Sequence, residues 1–335
     1  MLKKTILITG AAGYIGSHIA KHFLANNFKV IALDNLSRGY REAIEILQKL
    51  GDLEFVEGDI LDQTVLTNIF SNNQIDAVIH CAALCSPDES ITKPFEYYQT
   101  NLLGTVNLLE SMKKFKVDKI IFSSTCAVYG EAITLPIDES HQTKPVSPYG
   151  ISKLLAEQAI ELYKNLHSIN YVTFRFFNVC GADSDGVIGD SKKPSQLLMQ
   201  NAVRGALGIE AFSYTCSKVD TPDGTPIRDY IDVEDLALAH QLALDYLKTN
   251  QQSQLINLGN GVGYSVKQII SQVERIMGVV LEKNQARPRA GEYSVVYADA
   301  SRALELLQWQ PKKDLVASIN SLLKWYKNKP RGYSY

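Results

Sequence analysis

Tyr149 and Lys153 are four residues apart in Ser147-Pro148-Tyr149-Gly150-Ile151-Ser152-Lys153, which puts both side chains on one face of any helix that contains them. A phenol beside an ammonium is an acid/base candidate, because the positive charge favours the phenolate and a bound nicotinamide cation would favour it further. A solvated helical pair accounts for the same spacing when it stands alone. The hydroxyl cluster Ser123-Ser124-Thr125 follows an apolar run and so belongs at the carboxyl end of a strand, where open parallel sheets bind ligands. Together the two features favour catalysis over a surface pair.

A second group suits a dinucleotide. Gly10-Ala11-Ala12-Gly13-Tyr14-Ile15-Gly16 lies between an apolar run and a helical pattern. Glycines there allow a sharp turn and a close approach of backbone N–H groups to a diphosphate at the helix N-terminus. Asp34 ends a second apolar run, 18 residues beyond Gly16. Its carboxylate would accept hydrogen bonds from the adenosine ribose and repel a 2′-phosphate, which favours NAD over NADP. The competing explanation is a glycine-rich turn followed by a surface carboxylate. Asp59, in Gly58-Asp59-Ile60, is either a contact to the adenine edge or a simple turn residue.

Positioning these residues requires a sheet. Short β-branched runs at 5–9, 29–33, 53–56, 76–80, 119–123 and 171–176 alternate with longer helical stretches. The pattern predicts an α/β chain with a doubly wound, Rossmann-type parallel sheet. Ser147 is placed to cap a long helix with Pro148 at its first position. A Gly/Asp/Ser/Lys stretch at 181–193 marks a junction. The expected division is an NAD-binding domain over 1–178 and a smaller, mainly nucleotide-sugar-binding α/β domain over 179–335, with 231–258 able to pack back on the first. Beyond it come a strand at 255–258, helices at 266–277 and 300–307, and the basic Arg287-Pro288-Arg289.

Composition narrows the function classes. The 335 residues are 45% hydrophobic and 21% charged with a net charge of -2, without the basic excess of a nucleic-acid binder. Five scattered cysteines suit reduced thiols in a cytoplasmic protein, and Cys81 and Cys85 lack the further ligands that a metal would need. The first apolar run is too short for a signal peptide, and no stretch is long enough for a membrane span.

Four segments carry a wider resemblance: Thr9 to His18, Phe55-Val56-Glu57-Gly58-Asp59-Ile60, Ser147-Pro148-Tyr149-Gly150, and Pro222-Asp223-Gly224-Thr225-Pro226-Ile227-Arg228-Asp229-Tyr230-Ile231. Over essentially its whole length the chain resembles the extended short-chain dehydrogenase/reductase family and, within it, the UDP-glucose 4-epimerases. The first and third segments are shared by many sugar-nucleotide enzymes, and the fourth is more specific to 4-epimerases. The resemblance implies that Tyr149 removes the proton of the sugar 4-hydroxyl while carbon 4 gives hydride to a tightly held NAD. The 4-keto sugar then rotates and is reduced on its other face. Lys153 would hold the ribose and tune the tyrosine, and Thr125 stands where most members place a serine.

The resemblance further implies cofactor contacts from Gly10, Gly13, Tyr14, Ile15, Gly16, Asp34, Asn35, Asp59, Ile60, Asn101, Ser124 and Phe176, besides Tyr149 and Lys153. The UDP-sugar would meet Thr125, Tyr149, Asn178, Gln196, Leu197 and Arg228, with Arg289 at the diphosphate. Val296 falls beside the sugar's 2-substituent, where a tyrosine commonly excludes N-acetyl groups; a valine there implies that they are accepted. The simpler alternative is a strand in which Val295 and Val296 alternate and one is buried. Two departures stand out: Cys85 replaces a common lysine, and Ser195-Gln196-Leu197 replaces an Asn/His-Leu pattern. The family also suggests a homodimer through helices near 95–114 and 149–166. Rival readings are a 4,6-dehydratase, a decarboxylase and a non-catalytic NAD- or nucleotide-sugar-binding regulator. Dehydratases carry an Asp-Glu pair after the active-site threonine, where this chain has Cys126-Ala127.

Overall fold

The computed structural model describes residues 3–192, 195–216, 218–250, 252–282, 284–286 and 293–333. Its first six strands are β1 (Thr5–Thr9), β2 (Lys29–Asp34), β3 (Leu53–Glu57), β4 (Ala77–His80), β5 (Lys119–Thr125) and β6 (Asn170–Phe176). The later strands are β7 (Asn178–Cys180), β8 (Ser213–Thr215), β9 (Ile227–Asp232), β10 (Gln254–Leu258), β11 (Gly263–Ser265), β12 (Asn284–Ala286) and β13 (Val295–Val296). A parallel seven-stranded sheet runs in the order β10-β6-β5-β4-β1-β2-β3. This is the doubly wound α/β fold that the alternating runs predict. The strand order reverses between β1 and β4, so the connections from their carboxyl ends part to opposite faces and leave a crevice.

Side-chain alternation divides the core into two layers. Ile6, Ile8, Val30 and Ala32 pack with Phe23 of the helix Tyr14–Ala25 on one face, whereas Leu7, Ile31, Leu33 and Phe122 pack with Leu108, Ala156 and Ile160 on the other. Burying each such aliphatic side chain contributes about 1.5–3 kcal/mol, which is why these strands carry almost no polar residue before their carboxyl ends.

β6 and β7 are separated by Phe177 alone, and there the chain leaves the large sheet. β9 pairs with β7, β11 and β13, and β8 pairs with β12. Met199, Val203, Phe212, Ile269, Trp325 and Tyr326 form a separate core around them. The chain then returns: the helix Val233–Asn250 places Leu236, Ala243 and Leu244 in the same core layer as Ile6, and β10 joins the edge of the large sheet beside β6. Among the described residues no helix is long and apolar enough to cross a membrane.

Candidate active site

The glycine run is the turn from β1 into the helix Tyr14–Ala25. Gly10 has φ of +72°, and a Cβ on Gly16 would collide with its carbonyl oxygen. Gly13 caps the helix without a side chain, and the N–H groups of Tyr14, Ile15 and Gly16 precede the first intrahelical bond, Ser17 N–H to Gly13 O at 3.0 Å. All three residues line a cavity at the crevice, where these donors and the helix dipole match a diphosphate.

Asp34, at the end of β2, faces the same cavity. Its carboxylate accepts from Ala12 N–H at 2.9 Å and Leu36 N–H at 2.8 Å, which fixes its orientation and leaves lone pairs for a ribose. Burial raises its pKa and the two N–H groups oppose the rise. Asn35 donates to Asp59 at 2.7 Å, Asp59 accepts from Leu61 N–H at 2.8 Å, and all four of Asn35, Asp59, Ile60 and Gly58 line the cavity. The opposite wall is residues 81–85. Asn101 is buried and does not face the cavity; it holds that wall by accepting from Leu84 N–H at 2.8 Å and donating to Leu84 O and Ser152 Oγ, each at 3.0 Å.

The acid/base candidates sit at the carboxyl end of β5. Ser147 accepts from Gly150 N–H at 3.2 Å and Pro148 begins the helix Pro148–His167, as the sequence pattern expects. Tyr149 is half-buried, close enough to the Thr125 hydroxyl for it to act on the phenol, and meets Tyr97 edge-on at 6.3 Å. Burial, then the nearby Cys85, holds its pKa well above the ordinary tyrosine value, and the Thr125 hydroxyl opposes them. The protein's own groups thus keep the phenol protonated, the reverse of the shift that spacing from Lys153 suggests. Lys153 donates from Nζ to Ser123 O at 2.7 Å and lies 4.6 Å from the centre of the Phe122 ring. Burial lowers its pKa to about 8, against Cys81, Cys85 and Glu157, which raise it.

One turn further along this face is Glu157, which the sequence reading passes over. It is buried and pairs with Arg175 through two bonds, Nε to Oε1 at 3.1 Å and Nη2 to Oε2 at 2.6 Å. Arg175 stacks on Tyr129 at 4.7 Å, and Tyr129 donates to Asn257 at 2.6 Å. The signals were present: Glu157 continues the spacing 149, 153, and an arginine inside an apolar strand needs a partner.

Several of the expected site residues have neighbours of their own in the structure. Ser124 points to the other face of β5 from Ser123 and Thr125, and its hydroxyl donates to Glu157 instead of facing the cofactor cavity. Phe176 packs inside the sheet core with Phe174 and His240, whereas the neighbouring Phe177 lies with Val128, Tyr129 and Val296 in a small cluster by the site. The Tyr14 hydroxyl donates to Gly181 O at 2.6 Å, tying the glycine turn to the second core, so its cavity contribution is its backbone. Val296 is the buried member of its pair, 6% exposed in that small cluster with Tyr293 against it.

Gln196 is exposed on the wall of a neighbouring cavity, and Leu197 precedes the helix Leu198–Ala206. Asn178 and Arg228 are half-buried on the paired strands β7 and β9, with Arg228 near Cys126. Arg289 lies outside the described residues. Among the cavity-lining residues that the sequence pattern did not single out are Ser37, Arg38, Thr100 and Lys192.

Comparison with known proteins decides the family. A model of the NAD dependent epimerase/dehydratase family matches residues 6–259. The chain belongs to that family. A UDP-glucose 4-epimerase of Halalkalibacterium halodurans is 41% identical over 98% of this chain and 97% of its own. A crystal structure of UDP-glucose 4-epimerase from Bifidobacterium longum in complex with NAD+ and UDP matches with a TM-score of 0.94 at 36% identity, over 98% and 100% of the two chains. The UDP-Glc/GlcNAc 4-epimerase from Campylobacter jejuni matches with a TM-score of 0.83 at 39% identity, over 97% and 99%. Within the family the chain falls among the UDP-glucose 4-epimerases, and its cofactor is NAD. The glycine cradle, the free N–H groups and Asp34 fit that cofactor.

Proposed function

We propose that the chain interconverts UDP-glucose and UDP-galactose, and their N-acetylated forms, by NAD-dependent epimerisation at carbon 4. The observation that carries this reading is the meeting of Tyr149 and Thr125 at the carboxyl end of β5, beside the Gly10–Gly16 and Asp34 cavity. Bound NAD supplies the hydride acceptor and donor at carbon 4 and a positive ring beside the phenol. Thr125 orients the sugar 4-oxygen, and Tyr149 takes its proton and returns it in the reverse half-reaction. Lys153 supplies the cation that, with the nicotinamide, brings the buried phenol down towards a working base. Glu157 and Arg175 act beneath them by holding the helix Pro148–His167 against β6, and through Ser124 against β5. Cys126 and Ala127 offer no further acid/base group, which favours epimerisation over 4,6-dehydration.

Asn178, Gln196, Leu197, Arg228 and Arg289 are assigned to the UDP portion, and paired arginine donors suit a diphosphate. The small side chain of Val296 and the dual-substrate relative support acceptance of N-acetyl sugars. We divide the chain into a cofactor domain over 1–178, completed by 231–258, and a substrate domain formed by the remainder. Phe95, Leu103, Leu162 and Leu166 are 66%, 47%, 53% and 64% exposed on the two helical segments expected to pair, which supports a homodimer; the reading places it in the cytoplasm. Incubating the protein with UDP-glucose, UDP-galactose and the N-acetyl pair, then separating products, tests the activity. Recovery of each sugar unchanged would reject it.

A further inference from the structure

Among the described residues two cations line the dinucleotide cavity, and they are held very differently. Arg38 places Nη2 against both oxygens of Glu89, at 2.6 and 2.8 Å, so its charge is already matched. Lys192 comes from the far side of the crevice, directly after Asp190 and Ser191, which hydrogen-bond to Trp325 and Tyr333 of the second core. Its ammonium donates to Cys85 Sγ at 3.2 Å, and Cys85 belongs to the wall that Asn101 braces. Thiol sulfur is a weak acceptor, so this contact satisfies an ammonium poorly. The Asp190 carboxylate acts on Lys192 electrostatically without a hydrogen bond to its ammonium; one of its oxygens accepts from Ser195 Oγ at 3.0 Å and the other has no hydrogen-bond partner among the described residues. The other charged side chains on the cavity wall, Asp34 and Asp59, are anionic.

We infer that Lys192 is a binding residue for the NAD diphosphate: its ammonium exchanges the Cys85 thiol for a phosphate oxygen when the cofactor is bound. The diphosphate is the anionic part of NAD, and the glycine turn meets it with neutral N–H donors and a partial dipole charge only. A full positive charge from across the crevice completes the match and straps the second core over the cofactor. The same residue forms part of the wall of the neighbouring cavity that contains Gln196, so the strap lies between the cofactor and the segment assigned to the UDP portion. The inference rests on the cofactor reading and adds a residue to it.

Equilibrium dialysis of NAD-stripped protein against ADP, NAD and adenosine tests the assignment. Lys192→Met should weaken ADP and NAD by about 10- to 100-fold, the range of a lost charge-assisted hydrogen bond, and leave adenosine binding unchanged. Lys192→Arg should stay near the parent. Because Nζ and Sγ lie 3.2 Å apart, adding Cys85→Lys to Lys192→Met should return a cation to the same place and restore ADP affinity. Parental ADP affinity in Lys192→Met, or equal loss of ADP and adenosine, would overturn the assignment. A parent protein that bound no NAD would instead count against the cofactor reading itself.

Discussion

Lys153 is expected to destabilise the fold that it serves. Its ammonium is 3% exposed, and burial lowers its pKa from 10.5 to about 8. Between those values the unfolded chain binds the proton that the folded protein has released, so stability must rise with pH across that window. At roughly 1.4 kcal/mol for each factor of ten, the gap corresponds to about 3 kcal/mol against the folded state near pH 7, falling to about 1 kcal/mol at pH 10. Lys153→Met removes the charge and also the hydrogen bond to Ser123 O, whose loss is independent of pH. The comparison is therefore between two pH values: the variant's stability relative to the parent should be about 2 kcal/mol more favourable at pH 7 than at pH 10. Urea unfolding of both proteins, stripped of NAD, measures it directly. A constant offset between the two proteins would show that burial does not penalise this ammonium, and an offset growing towards high pH would show that the fold stabilises it. The proposed function would give that cost a reason, since a cation kept in a dry place acts on a phenol and a ribose more strongly than one in water.

The other predictions concern the site directly. Tyr149→Phe should lower turnover by about 10²–10⁴-fold with NAD content retained, and near-normal product formation would remove Tyr149 from proton transfer. In Asp34→Ala, NAD should be released more readily and NADP discriminated against less, as read by cofactor content after dialysis; unchanged preference would reject the ribose assignment. Glu157→Gln should cost about 3–5 kcal/mol in urea unfolding, because it leaves Arg175 buried without its counter-charge, and a cost below 1 kcal/mol would refute the pairing as a stabilising element. UDP-N-acetylglucosamine should be converted by the parent and selectively lost in Val296→Tyr, which must also lose about 1–3 kcal/mol because the ring enters a packed cluster. Equal loss of plain and N-acetyl activities would reject Val296 as the gate.

What the sequence determined by itself was whatever is written locally. The strand runs, the glycine turn, Asp34 at a strand end, the Ser147 cap and the 149–153 spacing are each set by a few neighbouring residues, because steric and hydrogen-bonding rules act over one or two turns. The family was legible from the same segments. Tertiary structure decided which face each residue presents and what reaches it from elsewhere. A single-residue phase separates Ser124 from Thr125 and Phe176 from Phe177, and strand alternation turns that phase into opposite destinations. Arg175 and Glu157 are 18 residues apart and Lys192 and Cys85 are 107 apart, so neither contact leaves a local pattern. The placement of β10 beside β6 is likewise a choice among sheet edges made by packing. Tyr149 shows the limit most clearly: spacing alone suggests a lowered pKa, but the direction is set by burial among groups that only the folded chain brings around the phenol.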